Sequence, residues 1–267
     1  MKVKGNVRLW GTQMTGTLIR KSIFNLRMLA VNVIIVSIFI VSMIINGRLS
    51  KEIFLNVNIL EVYISLFAFS PFAVFAGLFP GIPYAYSYIE ERNCGYLKFI
   101  EIRMSRVRYR WQKIFFTGLS GGISLSIPVI LIFILLDVIT VDVTPQDYPT
   151  IMLDTIWKPY FFIWGGRFIL ILKAILTFLF GFMWAELSLL CSLVMKNKYI
   201  AFILPFVIYE VTWLLITQTT ELFTPMMLVR SDFDVSVAIW KPFAVDIAYI
   251  AFLSVANNLL FKWREKQ

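Results

Sequence analysis

Residues 168–195 read FILILKAILTFLFGFMWAELSLLCSLVM, and Lys173 and Glu186 are the only charged side chains in this run. A helix needs about 20 apolar residues to cross the hydrocarbon core of a bilayer, so the run is long enough for one crossing. Five further runs of similar character lie on either side of it, at 28–46, 61–83, 115–141, 199–218 and 243–261. We therefore predict an all-α membrane protein with six transmembrane helices.

The composition agrees with a membrane protein and excludes several other classes. Of the 267 residues, 59% are hydrophobic and 15% are charged, whereas soluble domains carry roughly 25% charged residues. Six spans with short loops use up the chain, so residues 1–267 are predicted to form a single transmembrane domain. The sequence has no His and no G-x-x-x-x-G-K-[ST] phosphate loop. We therefore expect this chain to bind no metal, no cofactor and no ATP, and to be no enzyme by itself.

The basic residues indicate the orientation in the membrane. The formal net charge is +9, but Lys and Arg lie beside apolar runs, so nucleic acid is not an expected partner. Most of them lie in the N-terminal tail, the 84–114 loop, the turn at 196–198 and the C-terminal tail. Because loops rich in Lys and Arg stay inside, we predict that both termini and the 84–114 loop are cytoplasmic. The expected location is the cell membrane, as a multi-pass protein of the bacterial plasma membrane.

Two segments outside the spans are predicted to lie along the membrane surface or to dip into it. Residues 1–27 form a cytoplasmic segment in which 7–27 mixes apolar and basic side chains, as in a helix that lies in the interface. Residues 219–242 are too apolar for a plain outer loop, so we expect a re-entrant or interfacial segment there, before the last span. Residues 156–159 and 239–242 both read IWKP before a span, which is typical of Trp and Lys anchors at the outer headgroups.

Small residues, prolines and charges inside the spans indicate how the helices pack. Pro71 is predicted to kink the second span, because proline cannot continue the helical hydrogen-bond ladder. Asp137 and Lys173 lie at similar predicted depth near the outer surface, so we predict an ion pair between them. Two pairs of glycines four residues apart predict close contacts between helices: Gly77 with Gly81, and Gly118 with Gly122.

Two glutamates are candidate residues of a translocation path. Ionisable groups inside a span are costly, so each is a functional candidate by default. Glu186 and Glu210 lie at similar predicted depth in the fourth and fifth spans. They could line a polar cavity or relay protons, and the alternative is that both are neutral and hydrogen-bonded in helix contacts.

The 84–114 loop contains an amphipathic pattern. Tyr96, Ile100, Met104, Val107 and Trp111 recur at steps of three and four residues, which predicts one apolar stripe along a helix. Such a helix can pack against a partner protein, and the alternative is that it lies on anionic lipid.

The two ends of this loop carry a resemblance to a known family. The loop opens with an acidic residue, Arg and then Gly, and closes with a Ser-Arg, Tyr, Lys series: Glu91, Arg92, Gly95, Ser105, Arg106, Tyr109 and Lys113. In this pattern, in its six predicted spans and in its interfacial N-terminal helix, the chain resembles the type-2 (ABC-2) permeases of ATP-binding-cassette exporters. It departs from that family at Arg103, where a proline is common.

The resemblance implies a permease subunit that forms half of a substrate path and faces a second copy or a similar permease. It also implies a separate ATPase subunit that binds ATP and Mg and receives the loop as a coupling helix. The coupling residues implied are Glu91, Arg92, Gly95, Tyr96, Ile100, Ser105, Arg106, Tyr109, Trp111 and Lys113.

Export of a peptide or an amphipathic hydrophobic compound is the expected activity, because the predicted path is apolar and aromatic. The alternative is a transporter driven by an ion gradient, or a channel, without an ATPase partner, for which Glu186 and Glu210 are the main support. A membrane-embedded enzyme has the least support, because the sequence lacks a recognisable catalytic group.

The predicted topology can be tested by cysteine labelling in intact cells. An impermeant thiol reagent should label cysteines placed at Thr150 and Ser231 from outside, and should not label cysteines at Gln13 and Ser105. Labelling at Ser105 in intact cells would reverse the orientation.

Overall fold

The computed structural model describes residues 20–45, 59–139, 155–216 and 221–266, and the fold of these residues is helical. Most of the predicted interfacial helix at 7–27, and the labelling positions Gln13 and Thr150, lie outside the described residues. Two short 3₁₀ helices cover Phe79–Gly81 and Glu221–Phe223. The α-helices are α1 (Leu26–Ile45), α2 (Ile59–Phe69), α3 (Phe72–Phe75), α4 (Ser87–Asn93), α5 (Leu97–Arg103), α6 (Arg106–Ile139), α7 (Lys158–Val194), α8 (Lys198–Ile216), α9 (Pro225–Arg230) and α10 (Trp240–Arg264).

Five helices among the described residues are long and apolar enough to cross a membrane, namely α1, α6, α7, α8 and α10. The prediction of an all-α fold is confirmed for the described residues, and the five long apolar helices are consistent with a membrane protein. The described residues nearest the two termini meet the 84–114 loop at one end of the bundle, which we call the loop end. The opposite end carries residues 221–239, which we call the cap. The count of six spans and the cytoplasmic position of the termini stay predictions.

The second apolar run, 61–83, is interrupted at Pro71, so the predicted kink there is confirmed. It divides into α2, α3 and the 3₁₀ turn Phe79–Gly81. Pro71 directly precedes α3, and a proline without an N–H separates the two helices. Tyr63, Phe67 and Phe72 from this segment are buried among their neighbours. Interrupted backbone is tolerated inside a membrane protein where protein packs around it, which is the situation here.

Helices α6 and α7 cross with their backbones in close contact. A Cβ built on Gly181 would lie 2.5 Å from the carbonyl oxygen of Gly121, and a Cβ built on Gly121 would lie 2.3 Å from the Cβ of Ala185. A Cβ on Gly122 would lie 2.7 Å from the ring of Phe178. The predicted close contact at the glycines of the third span is therefore confirmed, and it includes Gly121 as well.

The predicted contacts at Gly77 and Gly81 are also confirmed. A Cβ on Gly77 would lie 2.6 Å from the Tyr209 side chain of α8. A Cβ on Gly81 would lie 2.6 Å from the Ser188 hydroxyl of α7. Since the carbonyl of Pro80 also faces Gly121, the end of the second run is wedged between α6 and α7.

The cap is fastened to α7 and to the chain before it. Lys173 donates hydrogen bonds to the side chain of Asp232 (2.6 Å) and to the carbonyl of Arg230 (2.9 Å). The indole Nε1 of Trp157 donates to the carbonyl of Ser231 at 2.6 Å. These bonds hold α9 against the bundle, where Leu228, Val229 and Phe233 are buried. Whether the cap is a re-entrant segment stays a prediction.

The position of Lys173 overturns the predicted ion pair with Asp137. Asp137 instead accepts a hydrogen bond from Arg167 at 3.0 Å, and both side chains of this pair are exposed. The Asp137 side chain points away from the bundle, whereas the Lys173 side chain points into it. The buried ammonium therefore takes its carboxylate from the cap.

The two IWKP segments have different environments. Trp157 is buried beneath the cap, with 0% of its surface exposed, so its predicted role as a headgroup anchor is wrong. Trp240 is exposed, as an anchor requires. Ser231 is also buried, and the exposed Ser236 is the better outer labelling position.

The α6–α7 crossing predicts a large effect of Gly121→Val. The added side chain would meet Ala185 and the backbone of Gly181, so we expect destabilisation of about 3 kcal/mol or failure to fold. Ile127→Val, at an exposed position of the same helix, should change stability by about 0.5 kcal/mol or less. Thermal unfolding of both purified variants in one detergent provides the measurement, and equal melting temperatures would contradict the crossing.

Candidate functional site

The 84–114 loop folds as two short helices and the start of a long one. Gly95 separates α4 from α5 with φ = 69°, a left-handed conformation that favours glycine. Met104 separates α5 from α6 with an extended backbone, φ −145° and ψ 144°. Ser105 follows in an exposed position, and its carbonyl accepts the N–H of Tyr109 at 3.0 Å. The loop thus makes two sharp changes of direction within ten residues of chain.

The break at Met104 overturns the predicted single apolar stripe. Ile100 and Met104 face inward with 8% of their surface exposed, whereas Val107 and Trp111 lie exposed on α6. A stripe at steps of three and four residues requires one uninterrupted helix. Since two helices share these residues, the stripe is divided between a buried face and an exposed one.

A buried ion pair fixes α4 to α6. Lys113 donates to the carboxylate of Glu91 at 2.9 Å and to the hydroxyl of Ser87 at 2.6 Å. Tyr109 donates its hydroxyl proton to the same Glu91 oxygen at 2.7 Å. The ammonium also lies 4.3 Å from the ring centroid of Tyr84. Three of the predicted coupling residues are thus brought together, but they act inside the loop and are not displayed on its surface.

Two further charges tie α4 to neighbouring helices. Arg27 at the start of α1 donates to Glu90 at 2.8 Å, and Lys198 at the start of α8 donates to the same carboxylate. Partial burial opposes ionisation of Glu90, but the hydrogen bonds and charges of Arg27 and Lys198 outweigh it and lower its pKa. Arg92 donates to the carbonyl of Met195 at 2.8 Å, beyond the end of α7. Sequence reasoning missed Glu90, although it adjoins the motif residues Glu91 and Arg92.

The end of α10 is fastened to the same region. Arg110 donates to Glu265 at 2.8 Å. Arg264 donates to the carbonyl of Val194 at 2.8 Å, at the end of α7. Together with the bonds of Glu90 and Arg92, these contacts connect the loop to α1, α7, α8 and α10. The loop and the ends of these four helices are therefore held together at the loop end.

Helix α5 has one face in the protein and one face outside it. Ile100 lines a recess of about 110 Å³ together with Tyr88, Met104, Arg106 and Phe261. On the opposite side, Phe99 is 59% exposed and Ile102 is 82% exposed, and Tyr96 at the start of the helix is also exposed. Sequence reasoning chose Ile100 and missed Phe99 and Ile102. The three-residue spacing of Phe99 and Ile102 indicates a shared helix face only when the helix is known to run from Leu97 to Arg103.

The two path candidates, Glu186 and Glu210, have different environments. Glu186 of α7 is completely buried, and its carboxylate accepts the hydroxyl proton of Ser254 of α10 at 2.7 Å. The amide of Asn257 donates to the Glu186 carbonyl at 3.0 Å. Glu210 of α8 is partly exposed, and no hydrogen bond or ion pair among the described residues joins it to Glu186. The helix-contact alternative for Glu186 is the one that this geometry favours.

A third acid in the bundle was missed. Asp246 of α10 is completely buried, and neither carboxylate oxygen has a hydrogen-bond partner among the described residues. It lies on the buried side of α10 with Asn257. The rule that selected Glu186, an ionisable residue within a predicted span, applies equally to Asp246 in the span at 243–261.

The different partners of Glu90 and Glu91 predict that substituting these two adjacent residues has unequal effects on the free energy of unfolding. Glu91→Ala leaves the buried Lys113 ammonium without its carboxylate, and removing one partner of such a pair costs about 3–5 kcal/mol. Glu90→Ala removes a carboxylate whose partners are half exposed, so we expect a cost of about 1 kcal/mol or less. Denaturant unfolding of the purified variants compares them, and a larger loss for Glu90→Ala would contradict the assignment of the buried pair.

Comparisons with known proteins do not identify a relative. No family model, no curated protein and no solved structure matches this chain. The functional argument therefore stands on the geometry of the loop end and of the bundle.

Proposed function

We propose that this chain is the permease subunit of an ATP-driven exporter of the ABC-2 type. It supplies half of a substrate path through the cell membrane, and a second copy or a similar permease supplies the other half. A separate ATPase subunit binds ATP and Mg and docks on the 84–114 loop. The substrate is a peptide or an amphipathic hydrophobic compound that leaves the cell.

The observation that carries this proposal is the exposed apolar side of α5, a helix in the loop that the ion pairs and hydrogen bonds of the loop end hold in place. Phe99 and Ile102 project from α5, outside the five helices that are long enough to cross a membrane. Large apolar side chains exposed together on a helix are typical of protein contact sites. Aromatic and aliphatic anchors of this kind contribute most of the affinity in helix-in-groove recognition.

The bracing supports coupling rather than simple attachment. A force applied at α5 reaches α6 through the short link at Met104, and Glu91 with Lys113 fixes α4 to the same helix. Glu90, Arg92 and Arg264 carry contacts to the ends of α1, α7, α8 and α10. A docked ATPase that moves α5 would therefore move the ends of several membrane helices together.

The structure changes which coupling residues should contact the ATPase directly. Ile100, Tyr109 and Lys113 face the interior of the loop, so we assign them to positioning. Tyr96, Phe99, Ile102 and the exposed Arg106 are left as the contact surface. Trp111 is also exposed, and it lies on α6, the helix that begins at Arg106.

A specific observation also favours the alternative, a transporter driven by an ion gradient or a channel. Glu186 and Asp246 are both completely buried between membrane helices, and neither has a basic partner among the described residues. Buried acids without a counter-ion occur in proton and cation pathways. Transport that continues after ATP depletion but stops in an uncoupler would favour this alternative over the exporter.

The docking surface predicts the effect of the double substitution Phe99→Ala and Ile102→Ala. Truncating a central anchor costs about 2 kcal/mol, roughly 30-fold in affinity. The doubly substituted chain should therefore lose its ATPase on purification, as measured by co-purified ATP hydrolysis and identification of the subunit by mass spectrometry. The matched control is Ile247→Ala with Phe252→Ala, two exposed side chains of α10. Full retention of the ATPase by the α5 variant would contradict the docking surface.

A further inference from the structure

At the loop end, one side of helix α1 is apolar and is not covered by any other described residue. Leu26, Leu29 and Val33 are exposed there. Together with Ile127 and Leu131 of α6, this side lines a groove of about 780 Å³. That volume lies within the range of about 300–1,000 Å³ that is typical of small-molecule sites.

The groove has the length of one membrane leaflet. From Leu26 to Ser37 the lining follows α1, and a rise of 1.5 Å per residue makes this distance roughly 16 Å. Half of a hydrocarbon core about 30 Å thick is about 15 Å. The groove therefore begins near the loop end of the bundle and ends near its middle.

A smaller recess of about 320 Å³, whose lining includes Lys21, Arg27, Glu90 and Glu91, continues the groove beyond the start of α1. Asn25 and Leu26 line both the groove and the recess. Asn25 caps α1 by accepting the N–H of Met28 at 2.7 Å, and its amide donates to the carbonyl of Pro83 at 3.0 Å. These bonds fix the wall that the apolar and polar parts share.

The charges around the recess leave a lysine without a carboxylate. Glu90 is paired with Arg27 and Lys198. Glu91 is paired with Lys113. The remaining cation is Lys21, which is exposed. It makes no ion pair among the described residues, and its ammonium lies 5.4 Å from the ring centroid of Tyr96.

We propose that the groove and the recess together bind one anionic glycerophospholipid from the leaflet at the loop end. An acyl chain lies along Leu29, Val33 and Leu131, and the phosphate lies against Lys21. A phospholipid matches both parts, because it joins an apolar chain one leaflet long to an anion at the membrane surface. This site does not depend on the proposed ATPase partner or substrate.

A second copy of the chain is a less suitable occupant of this groove. Helices α8 and α10 are less buried than α1, so they offer another copy a larger uncovered surface. A bound lipid would also cover the exposed side of α1 beside Glu90 and Arg27. It would thereby stabilise the contact between α1 and the loop.

Native mass spectrometry of the full chain in a mild detergent tests the site. Phosphatidylglycerol and phosphatidylethanolamine are added in equal amounts to the wild type and to three variants. We expect Lys21→Glu to reduce phosphatidylglycerol adducts about fivefold, the effect of one lysine near an anionic headgroup, with less than a twofold change for phosphatidylethanolamine. Val33→Trp should reduce adducts of both lipids, because the indole fills the groove. Lys262→Glu, an exposed lysine near the end of α10, should leave both unchanged.

Two results would overturn the proposal. Equal phosphatidylglycerol retention by Lys21→Glu and Lys262→Glu would show that the lipid binds to the general surface and not at this recess. Efficient disulfide formation between two copies of a Val33→Cys chain in native membranes would show that a second copy occupies the groove.

Discussion

The backbone contact between Gly121 and Gly181 is the constraint on which the rest of the structure depends. Lipid tails are as apolar as Leu and Phe side chains, so helices in a bilayer gain little from hydrophobic burial against one another. They associate where small residues allow close van der Waals contact, and at this crossing a single added Cβ would overlap the opposite backbone. The turn that contains Pro80 and Gly81 fits against the same crossing, so the broken second run is also positioned by it.

The two helices that cross here, α6 and α7, extend from the crossing to both ends of the molecule. Helix α6 has 34 residues, which corresponds to about 50 Å at 1.5 Å per residue. Helix α7 is kinked at Gly165, where φ is 78°, and is continuous from there to Val194. At one end, α6 continues directly into the loop that carries α5. Near the other end, Lys173 of α7 holds the cap. In the proposed coupling, a displacement of α5 would be transmitted along α6 past the crossing, with α7 as the surface against which α6 moves.

The charged groups of the loop end fix the relative positions of the helices more than they add to the stability of the fold. Replacing a buried ion pair by apolar groups is often neutral or stabilising, whereas breaking one is costly. Glu91 with Lys113, and Arg110 with Glu265, are pairs of this kind because one member of each is almost fully buried. They define one arrangement of α4, α6 and α10, so that Phe99 and Ile102 point outward while Ile100 points inward. Inside the bundle, Glu186 and Asp246 show the opposite situation, since neither acid has a basic partner in the described part of the chain.

The sequence by itself predicted a helical protein with helices long and apolar enough to cross a membrane, because the length of an apolar run and the spacing of its charges depend on the surrounding solvent. It also indicated the close helix contacts at Gly81 and Gly122, since small residues at helical spacing have few other uses in a span. It could not determine which way a side chain turns. The predicted depths of Asp137 and Lys173 match, yet Lys173 turns inward to Asp232 and Asp137 outward to Arg167.

Only the tertiary structure decided the surface of the loop. One backbone rotation at Met104 divides an apparent stripe, buries Ile100 and leaves Phe99 and Ile102 exposed. Periodicity along a chain assumes that the helix continues, and a helix ends where packing and backbone angles favour another direction. The same reason accounts for the second run, in which Pro71 was visible in the sequence but the site between α6 and α7 that accepts the broken segment was not.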